Sequence, residues 1–293
     1  MKHKILINSE LPLQLMNRNN EVNDLDFILF SLWEKDPEYK AFWLKNRKEN
    51  PDRIVIFDNS AYEFFNNGQQ FNVQDFTAAV QELNPTYFIV PDVLMNKDTT
   101  LENFKFFKNI LKSYKRMVVP QGRSFKDWLE CYKEMIEIGG FDMIGIPFHN
   151  DFFYDMGLAA TMTEANNSCR TGMGVRYADN DSDFFYAFGR IILLQYLQDH
   201  GLVRDDIKYH LLGTHHWNEM KSLGVYHKYK FIYSADTSYP VTRGLVLKEL
   251  ECWDPKEKIS IEEFFKQEIG EKEEEMILKN IQKFHSYVEV QKD

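Results

Sequence analysis

The chain has little cysteine, no long apolar run and no internal punctuation. Its 293 residues include three cysteines, Cys131, Cys169 and Cys252, spread far apart. No Cys-x-x-Cys pair or Cys/His cluster occurs. That spacing excludes a disulfide framework and a structural zinc site, so neither a metal nor a cofactor is expected. The pair His215-His216 does not substitute for such a site, because adjacent residues on a strand or loop point in different directions. No apolar stretch approaches the roughly 20 residues of a membrane helix. The apolar part of Met1 to Ile7 is too short for a secretory signal and reads as a first strand. A cytoplasmic protein without membrane contact is the expectation. No repeat, low-complexity tract or Gly/Ser linker divides the chain. It is therefore read as one domain over 1–293, with 249–293 as a helical C-terminal extension.

The formal net charge of -10 excludes a protein that binds polyanions over its whole surface. Two local basic tracks remain, Lys45-Asn46-Arg47-Lys48 and Lys105 to Arg116, and both read as solvated helix faces. Hydrophobic residues at 44% and aromatics at 15% supply enough apolar surface for a sizeable core.

Short apolar runs alternate with longer helix-like stretches, the pattern of βα units. Strands are predicted near 4–8, 53–57, 87–91, 116–120, 142–147, 208–213 and 230–235, with a weaker eighth at 244–248. Helices are predicted near 24–34, 38–46, 73–83, 99–113, 124–138, 182–200 and 216–224. Ser124 and Asp181-Ser182 look like N-caps. The charge-rich segment 259–287 reads as a helical tail that packs outside the barrel through Phe264, Phe265, Ile277 and Ile281. The predicted fold class is α/β, a TIM-like (β/α)8 barrel. The long connection from Phe148 to Asp181 is read either as a lid or as a plain insertion.

Several predicted strands end in a polar residue: Asp58, Asp92, Gln121 and Asp236. Parallel barrel strands bring their C-terminal ends to one face, where active sites sit. Asp58 is followed by Asn59-Ser60-Ala61-Tyr62, small residues and then an aromatic. A carboxylate beside an aromatic face suits a planar heterocycle, whose ring stacks while its N–H groups are accepted. The plain alternative is that Asp58 caps the next element and Tyr62 is core. Asp92 follows Pro91 and is either an N-cap or an acceptor for the two donors of a guanine-like ring. Gln121 can donate to a carbonyl, and Gly122, Gly145 and Gly213 permit close approach to backbone. Leu212 is a candidate apolar floor. Asp236 could attack an anomeric carbon with Asp58 as partner, the two-carboxylate arrangement of glycosyl transfer. Arg243 either holds a phosphate or pairs structurally with Asp236.

In their order along the chain these segments resemble the tRNA-guanine transglycosylase superfamily. The matching stretches are Asp58 to Glu63, Pro91-Asp92-Val93, Pro120-Gln121-Gly122, Ile144-Gly145-Ile146-Pro147, His210-Leu211-Leu212-Gly213-Thr214 and Ala235-Asp236 through Pro240 to Thr242-Arg243. The likeness covers roughly 50–245. It implies Asp236 as nucleophile and Asp58 as general acid/base. It implies Asp92, Gln121 and the backbone near Gly145 and Gly213 as base-recognition groups, with Tyr62 and Leu212 on the two ring faces. The family's zinc cluster after the nucleophile is missing, Pro147 stands where the family has an N–H, Glu63 replaces a glutamine, and Val241 is inserted. The missing cluster shifts the expected polymer from tRNA to DNA, as in divergent phage and bacterial members that install a 7-deazaguanine. The implied partners are DNA and a free base such as preQ0 or preQ1. For a phage protein the location would be the host cytoplasm. Arg243, Arg123, Arg170 and Arg176 are the expected phosphate contacts. Two rival classes remain: an N-glycosidase or ribosyl hydrolase, and a non-catalytic nucleotide-binding barrel.

Overall fold

The computed structural model describes residues 4–147, 182–214, 217–226, 229–251 and 260–289. The strands are β1 (Leu6–Ser9), β2 (Asp26–Leu29), β3 (Val55–Asp58), β4 (Tyr87–Ile89), β5 (Lys115–Val118), β6 (Met143–Ile146), β7 (Lys208–Leu211) and β8 (Ile232–Thr237). All eight pair in parallel in the order β1-β8-β7-β6-β5-β4-β3-β2. Helices alternate with the strands, so the chain forms a nearly closed (β/α)8 barrel followed by C-terminal helices. The connection 148–181, Cys169, Cys252, His215-His216, Arg170, Arg176 and the Asp181 cap lie outside the described residues. No helix of the described residues is long and apolar enough to cross a membrane.

The remaining gap in the barrel lies between β1 and β2, and side chains stitch it. Asp24 N–H donates to Ile7 O at 2.9 Å, and Ile7 N–H returns to Asp24 Oδ2 at 3.1 Å. Ser9 N–H reaches Asn23 Oδ1 at 2.6 Å, and Asn8 Nδ2 reaches Leu25 O at 3.0 Å. These bonds satisfy strand-edge groups that would otherwise be buried without partners.

Two expectations about the strands are corrected. Asp26–Leu29 is a strand, not the start of a helix over 24–34; the helix Phe30–Lys35 begins only after it. The run from Leu25 to Trp33 is apolar except for Asp26 and Ser31 and has no turn signal, and such a run fits a buried strand and a buried helix equally. The segment 244–248 is not the eighth strand. It is the end of the helix Tyr239–Leu245 and the turn after it, where Val246 and Leu247 are exposed. Gly244 is needed there for packing. A Cβ on it would lie 2.6 Å from Ile277 Cα, so the helices Tyr239–Leu245 and Glu271–Ser286 meet backbone to backbone.

The tail packs as expected: Phe264, Phe265, Ile277 and Ile281 are all buried. Burying each side chain contributes about 1.5–3 kcal/mol. Arg116 departs from the solvated-face reading. It sits on β5, is buried, and donates to the carbonyls of Phe107, Ile110 and Leu111 at 3.1–3.4 Å. It therefore satisfies the free carbonyls that follow the preceding helix, Lys97–Phe107. Lys105 and Lys112 are exposed.

Candidate active site

The polar residues anticipated at strand ends do gather at the C-terminal mouth of the barrel. Asp58 is the last residue of β3, Asp92 and Gln121 lie just beyond β4 and β5, and Asp236 lies within β8. Asp58 Oδ2 accepts the Ser60 N–H at 3.0 Å, so part of the capping alternative holds for it. Ser60 has a left-handed backbone with φ 57°, and its buried Oγ accepts Ser31 N–H at 3.0 Å. That left-handed residue turns the chain from β3 into the helix Ala61–Asn66.

Asp92 is held on both oxygens. Asn59 Nδ2 donates to Oδ1 at 2.8 Å and Gln121 Nε2 donates to Oδ2 at 2.6 Å. Gln121 Oε1 in turn accepts the Met95 N–H at 3.2 Å. The Met95 amide can only donate, which settles the orientation of the Gln121 side chain.

Asp236 is 4% exposed and accepts from two elements. His210 Nε2 lies 2.9 Å from its Oδ1. The Gly213 N–H points between its oxygens, 3.0 Å from Oδ1 and 3.1 Å from Oδ2. Gly213 has φ 60°, a conformation that glycine adopts without strain. The register between β7 and β8 shifts after Tyr209↔Ile232, so that His210 stands opposite Ser234. This irregularity re-aims the end of β8 and brings Asp236 into line with His210.

Several carboxyls share this mouth. Burial raises Asp58 well above the usual carboxylate range, and the nearby Glu63, Asp92 and Asp236 charges raise it further. Burial pushes Asp92 up to about 6, against the hydrogen bonds from Asn59 and Gln121 that favour its ionised form. Glu10, just past β1, is pushed up to about 8 by burial and then by Asp236 and Glu63. Burial and Asp236 also raise Glu63. Near neutral pH, Glu10 therefore keeps its proton while Asp92 is largely ionised.

The other expected residues fall in different places. Tyr62 is half exposed at the rim, not core. Leu212 is half-buried against Gly145, where a Cβ would come within 2.8 Å of Leu212 Cδ1 and 2.9 Å of Val119 Cγ2. The space at Gly145 is thus taken by these two side chains. Gly122 does not face the mouth: a Cβ there would lie 2.3 Å from Trp128 N, so it serves the packing of α7's first turn, in the helix Phe125–Ile138. Arg123 is exposed beside Gln121. Arg243 is 2% exposed, inside the protein and not on the rim.

One buried ion pair braces the Gly145–Leu212 side of the mouth. Arg190, fully buried, binds both Glu219 oxygens at 2.5 and 2.7 Å. Its Nη1 also donates to Ile146 O at 3.1 Å and Leu212 O at 2.5 Å. It ties together the ends of β6 and β7. Sequence reasoning assigned no role to Arg190, Glu10, Glu63 or His210. Glu10 carried a usable signal, since it stands two residues past a predicted strand. No protein-family model matches the chain, and no curated protein matches it significantly.

Proposed function

We propose that the barrel is a base-exchange transglycosylase that replaces guanine with a 7-deazaguanine in nucleic acid, with DNA as the preferred polymer. The observation that carries the reading is that Asp58 and Asp236 come from different strands to one mouth, where the Asp236 charge helps to raise Asp58, beside the hydrogen-bonded Asp92–Gln121 pair. The first can hold a proton, and the second is oriented by donors. An amide–carboxylate pair next to them offers both donors and acceptors to a purine edge.

In the proposed route Asp236 Oδ2 forms a bond to C1′ of the target nucleoside. The C1′–N9 bond breaks, and its electron pair leaves with the base. Asp58 gives its proton to that base and becomes a carboxylate. It then takes the N9 proton of the incoming 7-deazaguanine. The new N9 attacks C1′, the ester bond to Asp236 breaks, and both carboxyls return to their starting states. Two inversions retain the sugar configuration. Tyr62 stacks on one face of the base and Leu212 supports the other. In a duplex the target nucleotide must first be flipped out, at a cost of a few kcal/mol. Arg123, exposed two residues past Gln121, is the candidate phosphate contact among the described residues. The preference for DNA rests on the sequence, which lacks the zinc cluster of the tRNA enzymes it resembles.

The test is exchange of labelled guanine, run in parallel on DNA and on tRNA. Incorporation into DNA supports the reading. Incorporation into tRNA alone keeps the chemistry and changes the polymer. Release of guanine without uptake of any base replaces it with a hydrolase. Binding with neither reaction leaves a non-catalytic barrel.

A further inference from the structure

His210 is a fully buried imidazole in the middle of the barrel. Its ring is stacked on Phe27 of β2, with 5.5 Å between centroids and 6° between planes. The strands β2 and β7 are not neighbours in the sheet, so this stack spans the barrel interior. Both ring nitrogens are engaged. Nδ1 lies 2.7 Å from Ser234 Oγ, and Nε2 lies 2.9 Å from Asp236 Oδ1. A carboxylate can only accept, so Nε2 carries the proton. Nδ1 faces the Ser234 hydroxyl, which can donate to it.

The two oxygens of Asp236 are consequently unequal. Among the described residues, Oδ1 receives His210 and a share of Gly213 N–H, whereas Oδ2 receives only the other share. Hydrogen bonds to a carboxylate oxygen lower its electron density and fix its direction. We infer that His210 is a positioning residue: with Nδ1 engaged by Ser234 and Nε2–H directed at the carboxylate, it holds Asp236 by Oδ1 and leaves Oδ2 as the atom that attacks. Phe27 keeps the ring plane in place, and the shift in register after Tyr209 puts His210 and Asp236 on the same interior face. The inference rests on the transglycosylase reading for the identity of the attacked atom. The Ser234–His210–Asp236 chain itself stands apart from that reading.

The test pairs kinetics with spectroscopy. His210→Phe keeps the stack on Phe27 but cannot donate. It is expected to lower kcat for base exchange by about 10–100-fold, the rate equivalent of one hydrogen bond to a charged group. KM for the free base should stay within about twofold, since the ring touches neither base nor polymer. His210→Gln places an amide N–H near the position of Nε2 and should recover most of the rate. His210→Asn, whose amide reaches only the Nδ1 position, should not. Long-range nitrogen–proton NMR of the unmodified protein should show the His210 proton on Nε2. A proton on Nδ1 overturns the inference whatever the activity. So does a His210→Phe enzyme with unchanged kcat. A wild-type protein with the Nε2 proton but no base exchange overturns only the transglycosylase reading.

Discussion

Gln121 donates to Asp92 at 2.6 Å, so the two residues expected to read a base are bonded to each other. The contact is part of a chain running Asn59–Asp92–Gln121–Met95. A carboxylate offers about four acceptor sites, and two are in use here. Asp92 can therefore accept two donors from a guanine-like edge without giving up its partners. In the proposed enzyme this chain would fix the recognition surface before a base arrives, which limits the ordering cost of binding.

Under the proposed function, base selection should depend on Asp92 and Tyr62 by different routes. Tyr62→Ala should weaken binding of the incoming base by about 1–3 kcal/mol through lost stacking. Asp92→Asn should instead lower discrimination between guanine and adenine, because one acceptor becomes a donor. Competition binding with both purines separates the two effects. Equal affinities in both variants and the wild type would place the pocket elsewhere.

The first half-reaction should slow as pH rises. Asp58 must be protonated to hand a proton to the leaving base, and its raised pKa extends the protonated range upward. Single-turnover formation of the covalent adduct should fall as pH climbs through that raised value. Asp58→Asn should be slow and lack this fall. A rate that climbs with pH through neutrality would reverse the assignment.

Glu10 should make the fold less stable in base. Its pKa is raised from 4.5 to about 8, so the folded state binds its proton more tightly than the unfolded state does. The sign of linkage is then fixed: this contribution is present below about 4.5 and is lost as pH rises to about 8. Glu10→Gln removes the titration. It should raise the midpoint of thermal unfolding at pH 9 relative to wild type more than at pH 5. An equal change at both pH values would contradict the raised pKa.

Two glycine substitutions should separate site from scaffold. In Gly145→Ala the new Cβ meets the tips of Leu212 and Val119, which can shift. The protein should fold, with a raised KM for the free base as Leu212 is displaced. In Gly244→Ala the Cβ meets Ile277 backbone at 2.6–2.7 Å, which cannot yield cheaply. A loss of about 1–3 kcal/mol is expected in urea unfolding. A destabilised Gly145→Ala with unchanged KM would show that Leu212 supports the fold and not the base.

Legibility in the sequence followed locality. The helix Val73–Leu83 is bounded as its spacing predicts, because Asn72 caps its start and Asn84 takes a left-handed turn at its end. Ser124 caps α7 through the Asp127 N–H, also as expected. These signals lie within a few residues of the element they bound. β2 was not legible, since one apolar run supplies both the strand and the helix after it. Asp58, Asp92, Gln121 and Asp236 were found because each ends or closely follows a strand. His210 and Glu10 owe their place to the pairing of β8 with β7 and with β1. Such register is a tertiary property, and a shift within it cannot be read from strand propensity.

The central claim is that Asp236 becomes covalently bound to the sugar during exchange. Its most direct test is the intact mass of the denatured protein after mixing with target DNA, without added base. The account predicts a stable adduct of polymer on the wild-type chain, cleared by adding a 7-deazaguanine, and none on Asp236→Asn, which should still bind the DNA. Base exchange by wild type with no adduct at any time, or an equal adduct on Asp236→Asn, would contradict it.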